Sequence, residues 1–81
     1  MLDDVKGLLG ETLQLGARAN ALDAGSPLLG TLPELDSMAV VTLIAAIEER
    51  FGITVDDDEI SAATFATLGS LTDFVSRKLA A

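Results

Sequence analysis

Ser37 is the residue whose type and place could carry chemistry. It follows Asp36, and the run Met38-Ala39-Val40-Val41-Thr42-Leu43-Ile44-Ala45-Ala46-Ile47-Glu48-Glu49-Arg50-Phe51-Gly52 comes directly after it. Val40, Leu43, Ile44, Ile47 and Phe51 recur at the spacing of one helical face. Asp36 suits the cap of that helix, since its carboxylate can accept from the free N–H groups of the first turn. Gly52 can take the left-handed conformation that closes a helix. Ser37 then holds the first helical position, its hydroxyl beside the positive end of the helix dipole. A phosphate attached there meets N–H donors without intrahelical partners, so the place favours a phosphodiester over a plain hydroxyl. Asp-Ser ahead of an apolar helix is most often only a cap. The rest of the chain must decide between the two.

Composition removes most catalytic options. Among 81 residues there is no cysteine and no histidine, hence no thiolate, no disulfide and neither of the commonest bases and metal ligands. Lys6 and Lys78 stand far from Ser37 in sequence, no Ser-x-x-Lys pair exists, and the glycines fit no phosphate-binding loop. Five basic against thirteen acidic residues give a net charge of −8. Such a balance argues against nucleic acid and anionic membranes and favours partners with basic patches. Met1-Leu2-Asp3-Asp4 is no signal peptide, and no apolar run is long enough to enter a membrane. The chain reads as a cytoplasmic monomer and not as an enzyme.

The elements that must position Ser37 follow from periodicity. Leu2, Val5, Leu8, Leu9 and Leu13 predict a helix over residues 2–15, with Asp3 and Asp4 in its first turn and Gly16 as its C-cap. Gly7 and Gly10 lie inside it and each costs about 1 kcal/mol against Ala, so packing must sustain this helix. Residues 17–35 have no sustained period and carry Gly25-Ser26-Pro27, Gly30 and Pro33. Pro33 disfavours helix at Leu32. Leu22, Leu28, Leu29, Leu32 and Leu35 suggest that this long connection packs over the helices. Gly52-Ile53-Thr54-Val55 could pass for a strand but has no partner, and is read as a link.

Asp56-Asp57-Asp58-Glu59 opens a short helical turn to about residues 61–63, with Ile60 inward. The run lacks the alternating acids and the glycine of a calcium loop, so no metal site is expected. Thr67 is the expected N-cap of a last helix, Leu68–Leu79, whose face is Leu68, Leu71, Phe74, Val75 and Leu79; Phe65 should plug the core before it. The predicted fold is all-α: a small four-helix bundle, three main helices plus one short one, with a long loop between the first two helices. One domain is expected to span residues 1–81. Within it Met38, Val41 and Ala45 fall on an outward stripe beside Ser37, and exposed apolar residues in a patch usually mark an interface.

Taken together, Leu35-Asp36-Ser37-Met38, then Ala46-Ile47-Glu48-Glu49-Arg50-Phe51-Gly52-Ile53, the acidic Val55-Asp56-Asp57-Asp58-Glu59-Ile60 and the closing Phe65-Ala66-Thr67-Leu68-Gly69-Ser70-Leu71 resemble the acyl carrier proteins, within the wider family of acyl and peptidyl carriers. Any one of these segments is common; their order and spacing are specific. The resemblance implies that a phosphopantetheinyl transferase moves 4′-phosphopantetheine from coenzyme A onto the Ser37 hydroxyl, with Asp36 assisting by helping to bind the transferase's metal. The arm would supply the thiol this chain lacks, and acyl groups would ride on it as thioesters to acyl ligases, acyltransferases or synthases of lipid, polyketide or related biosynthesis. It also implies a partner surface made of Met38, Val41 and Ala45 with Glu48, Glu49, Asp56 and Asp57.

Two departures stand out. Many such carriers place acids in the first two turns after the serine, where this chain has Ala39 and Thr42, and Met38 stands where Leu is commoner. The docking face near Ser37 is thus more apolar than usual. The Met start and short tail suggest a free-standing carrier. Pro33-Glu34-Leu35-Asp36-Ser37-Met38-Ala39-Val40-Val41 resembles carriers found with acyl ligases of bacterial surface-polysaccharide and exosortase-linked systems, while fatty acid, polyketide, aminoacyl and specialised lipid cargo all stay open. The alternative from another class is an acidic helical adaptor that binds a protein through Met38 and Val41, with Ser37 only a cap.

Overall fold

The computed structural model describes every residue except Gly30, Thr31, Pro33, Glu34 and Ala81, so the break expected at Pro33 and the turn at Gly30 lie outside the described residues. Three α-helices, α1 (Leu2–Thr12), α2 (Ser37–Phe51) and α3 (Leu68–Ala80), enclose the core, with 3-10 turns at Gly16–Ala21 and Asp57–Glu59 between them. This is the expected all-α bundle with a long first crossover. The short fourth helix is the second of the 3-10 turns.

α1 ends earlier than its apolar spacing predicts. Gln14, not Gly16, takes the left-handed conformation that stops it, at φ 54°. The Leu15 amide reaches back to the Gly10 carbonyl at 2.9 Å, which closes the end in a Schellman arrangement. Glycine is the usual occupant of that position, so sequence points to Gly16; that residue is itself left-handed but begins the next turn. Leu13 and Leu15 stay buried beyond the helix end, which is why the apolar period runs on past it. Gly10 has a packing reason. A Cβ there would lie 2.8 Å from the Cβ of Ala19, so glycine lets the first 3-10 turn fold against the helix. Gly7 has none, because a Cβ there would meet nothing within 4 Å.

The crossover, expected to lack any helical period, contains the Gly16–Ala21 turn and then an extended stretch tied to the start of α3. The amides of Leu28 and Leu29 donate to the carbonyls of Ala66 and Phe65 at 2.9 and 3.0 Å. The amides of Leu68 and Gly69 donate back to Ser26 and Ala24 at 3.0 and 2.8 Å. One antiparallel bridge, Pro27 with Thr67, lies at the middle of this ladder. The Asp23 carboxylate shapes the approach by accepting from the Gly25 amide at 3.0 Å and the Ser26 hydroxyl at 3.1 Å. Leu28 and Leu35 are buried as expected, Leu22 and Leu32 pack on the core, and Leu29 faces outward.

α2 presents Leu43 and Ile47 to the centre, with Val40, Ile44 and Phe51 partly buried beside them. Gly52, at φ 67°, ends it. Residues 53–55 lead into the second 3-10 turn without joining a strand, as expected. That turn closes at Glu59 rather than near residues 61–63, because the backbone of Ile60 is extended and its side chain packs on the core. Phe65 is buried between this region and α3. The Thr67 hydroxyl caps α3 by accepting from the Ser70 amide at 3.0 Å, and the Ser70 hydroxyl accepts from the Thr67 amide at 3.0 Å. Leu68, Leu71, Phe74 and Val75 are buried as expected, whereas Leu79 is not: in the last turn it and Ala80 are exposed beyond the core. Thr72 is buried too, its hydroxyl satisfied by the Leu68 carbonyl at 2.8 Å.

The two α1 glycines should respond with opposite signs. Gly7→Ala is expected to stabilise the fold by about 1 kcal/mol, the usual helix-propensity gain. Gly10→Ala should destabilise it, because the new methyl group meets Ala19; urea denaturation of both variants checks this.

Candidate functional site

Ser37 is the first residue of α2, and its side chain is exposed at the mouth of the helix. The bond that sets it there is the expected cap: Asp36 Oδ1 accepts from the Ala39 amide at 2.8 Å. Extended backbone at Asp36 (φ −97°, ψ −174°) turns the chain into the helix, and the Val40 amide closes the first turn on the Asp36 carbonyl at 2.9 Å. The cap serves one of the four amides that a helix start leaves without intrahelical partners. An anion on Ser37 therefore meets the positive end of a helix dipole and backbone donors. With an exposed hydroxyl, the residue fits a covalently attached phosphodiester. As a nucleophile it lacks an activator, since the chain holds no histidine or cysteine.

Behind Ser37 the outward face of α2 is apolar. Met38 and Val41 are 74% and 64% exposed, the two most exposed large apolar residues among those described. Ala45 continues the stripe. Thr42 carries no charge, and its hydroxyl turns back on its own helix to donate to the Met38 carbonyl at 3.1 Å. A groove of about 230 Å³ runs alongside, between Val41, Ile44 and Ala45 of α2 and Val55 and Ile60 of the following segment. Glu48 and Asp57 bring acid to it.

The acids expected to face partners separate into distinct roles. Glu48 lies along the groove with Val41, Ala45 and Asp57, but its Oε2 accepts from the Val55 amide at 2.8 Å and so fixes the link after α2. Glu49 is on the other flank of α2, in a depression of about 340 Å³ lined by Leu8, Ala46 and Arg50. That larger depression contains no nucleophile and does not include Ser37. Arg50 reaches Glu11 only at 4.0 Å with both side chains largely exposed, a pair of little energetic weight. Asp56 and Asp57 are exposed on the 3-10 turn. Among the described residues, no group of three acids is arranged to hold a metal ion.

In sequence Glu59 is one acid of an acidic run, yet it locks the turn. Its Oε1 accepts from the Lys78 ammonium at 2.8 Å and from the Asp56 amide at 3.0 Å. The Lys78 hydrogen bond first, and the Asp56 amide second, hold the Glu59 carboxyl below the usual glutamate range. The sequence signal was present in part, since Lys78 could be assigned to the end of α3 by the helix dipole. Its partner depends on tertiary placement. Ile44, Val55 and Ile60 were likewise assigned to the core or to the link, and only the fold shows that they also line the groove.

Glu59 binds its proton more weakly in the folded chain than when unfolded. The stabilisation is thus present above the unfolded glutamate pKa and is lost as pH falls through the lower folded value. Lys78→Met should therefore lower the melting temperature near neutral pH, and the gap from the unaltered protein should narrow at acidic pH. Paired melting curves across that range test the assignment.

Comparison with known proteins places these features. A family model described as the phosphopantetheine attachment site matches residues 3–75. The solution NMR structure of a holo acyl carrier protein from Nitrosomonas europaea superposes with a TM-score of 0.92 at 59% sequence identity, covering 99% of this chain and 96% of that one. A comparison with the curated proteins found no match.

Proposed function

The chain belongs to the phosphopantetheine-carrying family as an acyl carrier protein, and from that membership we propose that Ser37 bears the prosthetic group. The carrier is not an enzyme: it holds acyl groups for others, and its family works with phosphopantetheinyl transferases and acyl-handling enzymes. The observation that carries the choice of Ser37 is its exposed hydroxyl at the capped start of α2. When attached, 4′-phosphopantetheine supplies the thiol on which acyl groups are held as thioesters. The chain's own part is to present the Ser37 hydroxyl, to set the first-turn amides near the phosphate, and to keep the rest of α2 available for docking. Asp36 assists the transferase from the adjacent position while it caps the helix.

We further read residues 1–81 as one carrier domain that acts as a cytoplasmic monomer. No helix among the described residues is long and apolar enough to cross a membrane. Partners dock on Met38, Val41 and Ala45, with Asp56 and Asp57 as the acids open to them and Glu48 and Glu49 at the flanks. Cognate acyl ligases therefore contact the first two turns of α2 mainly through apolar surface. Lipid biosynthesis, including fatty acids, fits this role.

The direct test is intact-mass analysis after incubation with coenzyme A, magnesium and a phosphopantetheinyl transferase. The chain should gain one phosphopantetheine, and Ser37→Ala should gain none while keeping its helical signal, because Asp36 still caps α2. Gain by the Ala variant would move the attachment elsewhere. Partner binding gives a second test: affinity for the cognate ligase should fall less steeply with salt than for a carrier with acids beside its serine, since few screened pairs would form there.

A further inference from the structure

We propose that Met38 is an oxidation-sensitive site that sets whether partners can engage Ser37, an inference that rests on the Ser37 assignment above. Its thioether is the most exposed large apolar side chain described, at 74%, and it directly follows the serine. The chain contains no Cys, His, Trp or Tyr, so the readily oxidised side chains are its two methionines. Met1 is at the chain start and less exposed, at 44%; of the two, Met38 is the one on the docking stripe. In the first two turns after the serine, Ala39 and Thr42 add no charge, and Thr42 spends its hydroxyl on the Met38 carbonyl.

The chemistry needs a peroxide. The thioether sulfur attacks one oxygen of hydrogen peroxide, the O–O bond breaks, an S–O bond forms and water leaves. Sulfur gives up two electrons and the peroxide is reduced. The product replaces a flexible apolar side chain by a polar one bearing a strong acceptor. On a face where docking depends on apolar contact rather than charge, that change removes an anchor and adds an acceptor that the partner must leave unpaired. Because Met38 is exposed, the fold itself loses no core packing. Methionine sulfoxide reductases reverse the product, which makes the site a switch.

The test uses the cysteine-free apo chain, so no arm thiol is oxidised in parallel. Hydrogen peroxide treatment is followed by peptide mass mapping of the added oxygen and by timed loading with coenzyme A and a phosphopantetheinyl transferase. The Met38 sulfoxide should load about tenfold more slowly, the scale of losing one apolar anchor. Its circular dichroism melt should stay unaltered, and methionine sulfoxide reductase should restore the rate. In Met38→Leu, whatever its own rate, peroxide should change nothing although Met1 still oxidises. Equal loading of the Met38 sulfoxide and the untreated chain overturns the proposal, as does an equal loss in Met38→Leu. Absence of loading in the untreated chain would instead overturn the assignment of Ser37.

Discussion

The amides of Leu28 and Leu29 point to the strand-like entry of α3, and the amides of Leu68 and Gly69 return the pairing to the crossover. This short ladder decides where a long irregular segment lies in an otherwise helical protein. It satisfies backbone groups that would be costly to bury unpaired. With those groups paired, Leu28 can enter the core with no exposed surface. The close approach explains Gly69, where a Cβ would stand 2.7 Å from the Ala24 carbonyl oxygen. With the crossover fixed and Leu35 buried just ahead of the cap, α2 starts from a defined place.

α2 meets two demands on its two sides. Leu43 and Ile47 anchor it inside, and their burial holds the axis against α1. Ser37, Met38 and Val41 remain outside, at the end that the Asp36 cap finishes. The acids that follow do not act as one charged face. Glu48 and Glu59 are taken up by the Val55 amide and the Lys78 ammonium, while Asp56 and Asp57 stay exposed. With Glu48 and Glu59 bonded internally, the outward face of α2 next to Ser37 is apolar.

Much of this was legible in the sequence, and the reasons differ by element. α2 was read to within a residue because cap, period and left-handed glycine all agree there. The end of α1 is not legible, because Gln14 adopts a conformation usually left to glycine and because Leu13 and Leu15 prolong the apolar pattern after the helix has stopped. Spacing alone places Leu79 inward, because a period cannot tell where the core ends. The ladder and the Glu48 and Glu59 bonds join residues from separate elements, and local patterns carry little information about such pairings. Ser37 stands out through the resemblance of the segments around it to the acyl carriers rather than through its own residues, since Asp-Ser ahead of an apolar helix is most often only a cap.

The ladder also bears on how the chain reaches this structure. α1, α2 and α3 are built from local hydrogen bonds, and helical domains with local contacts fold fast. The pairing of residues 24–29 with residues 65–69 is different, since it brings together segments on opposite sides of α2 in the chain. Closing it costs loop entropy before any contact repays it. The result is a β-like pairing inside an all-α protein that spans far more of the chain than the helical hydrogen bonds around it, and so carries the larger loop-closure cost.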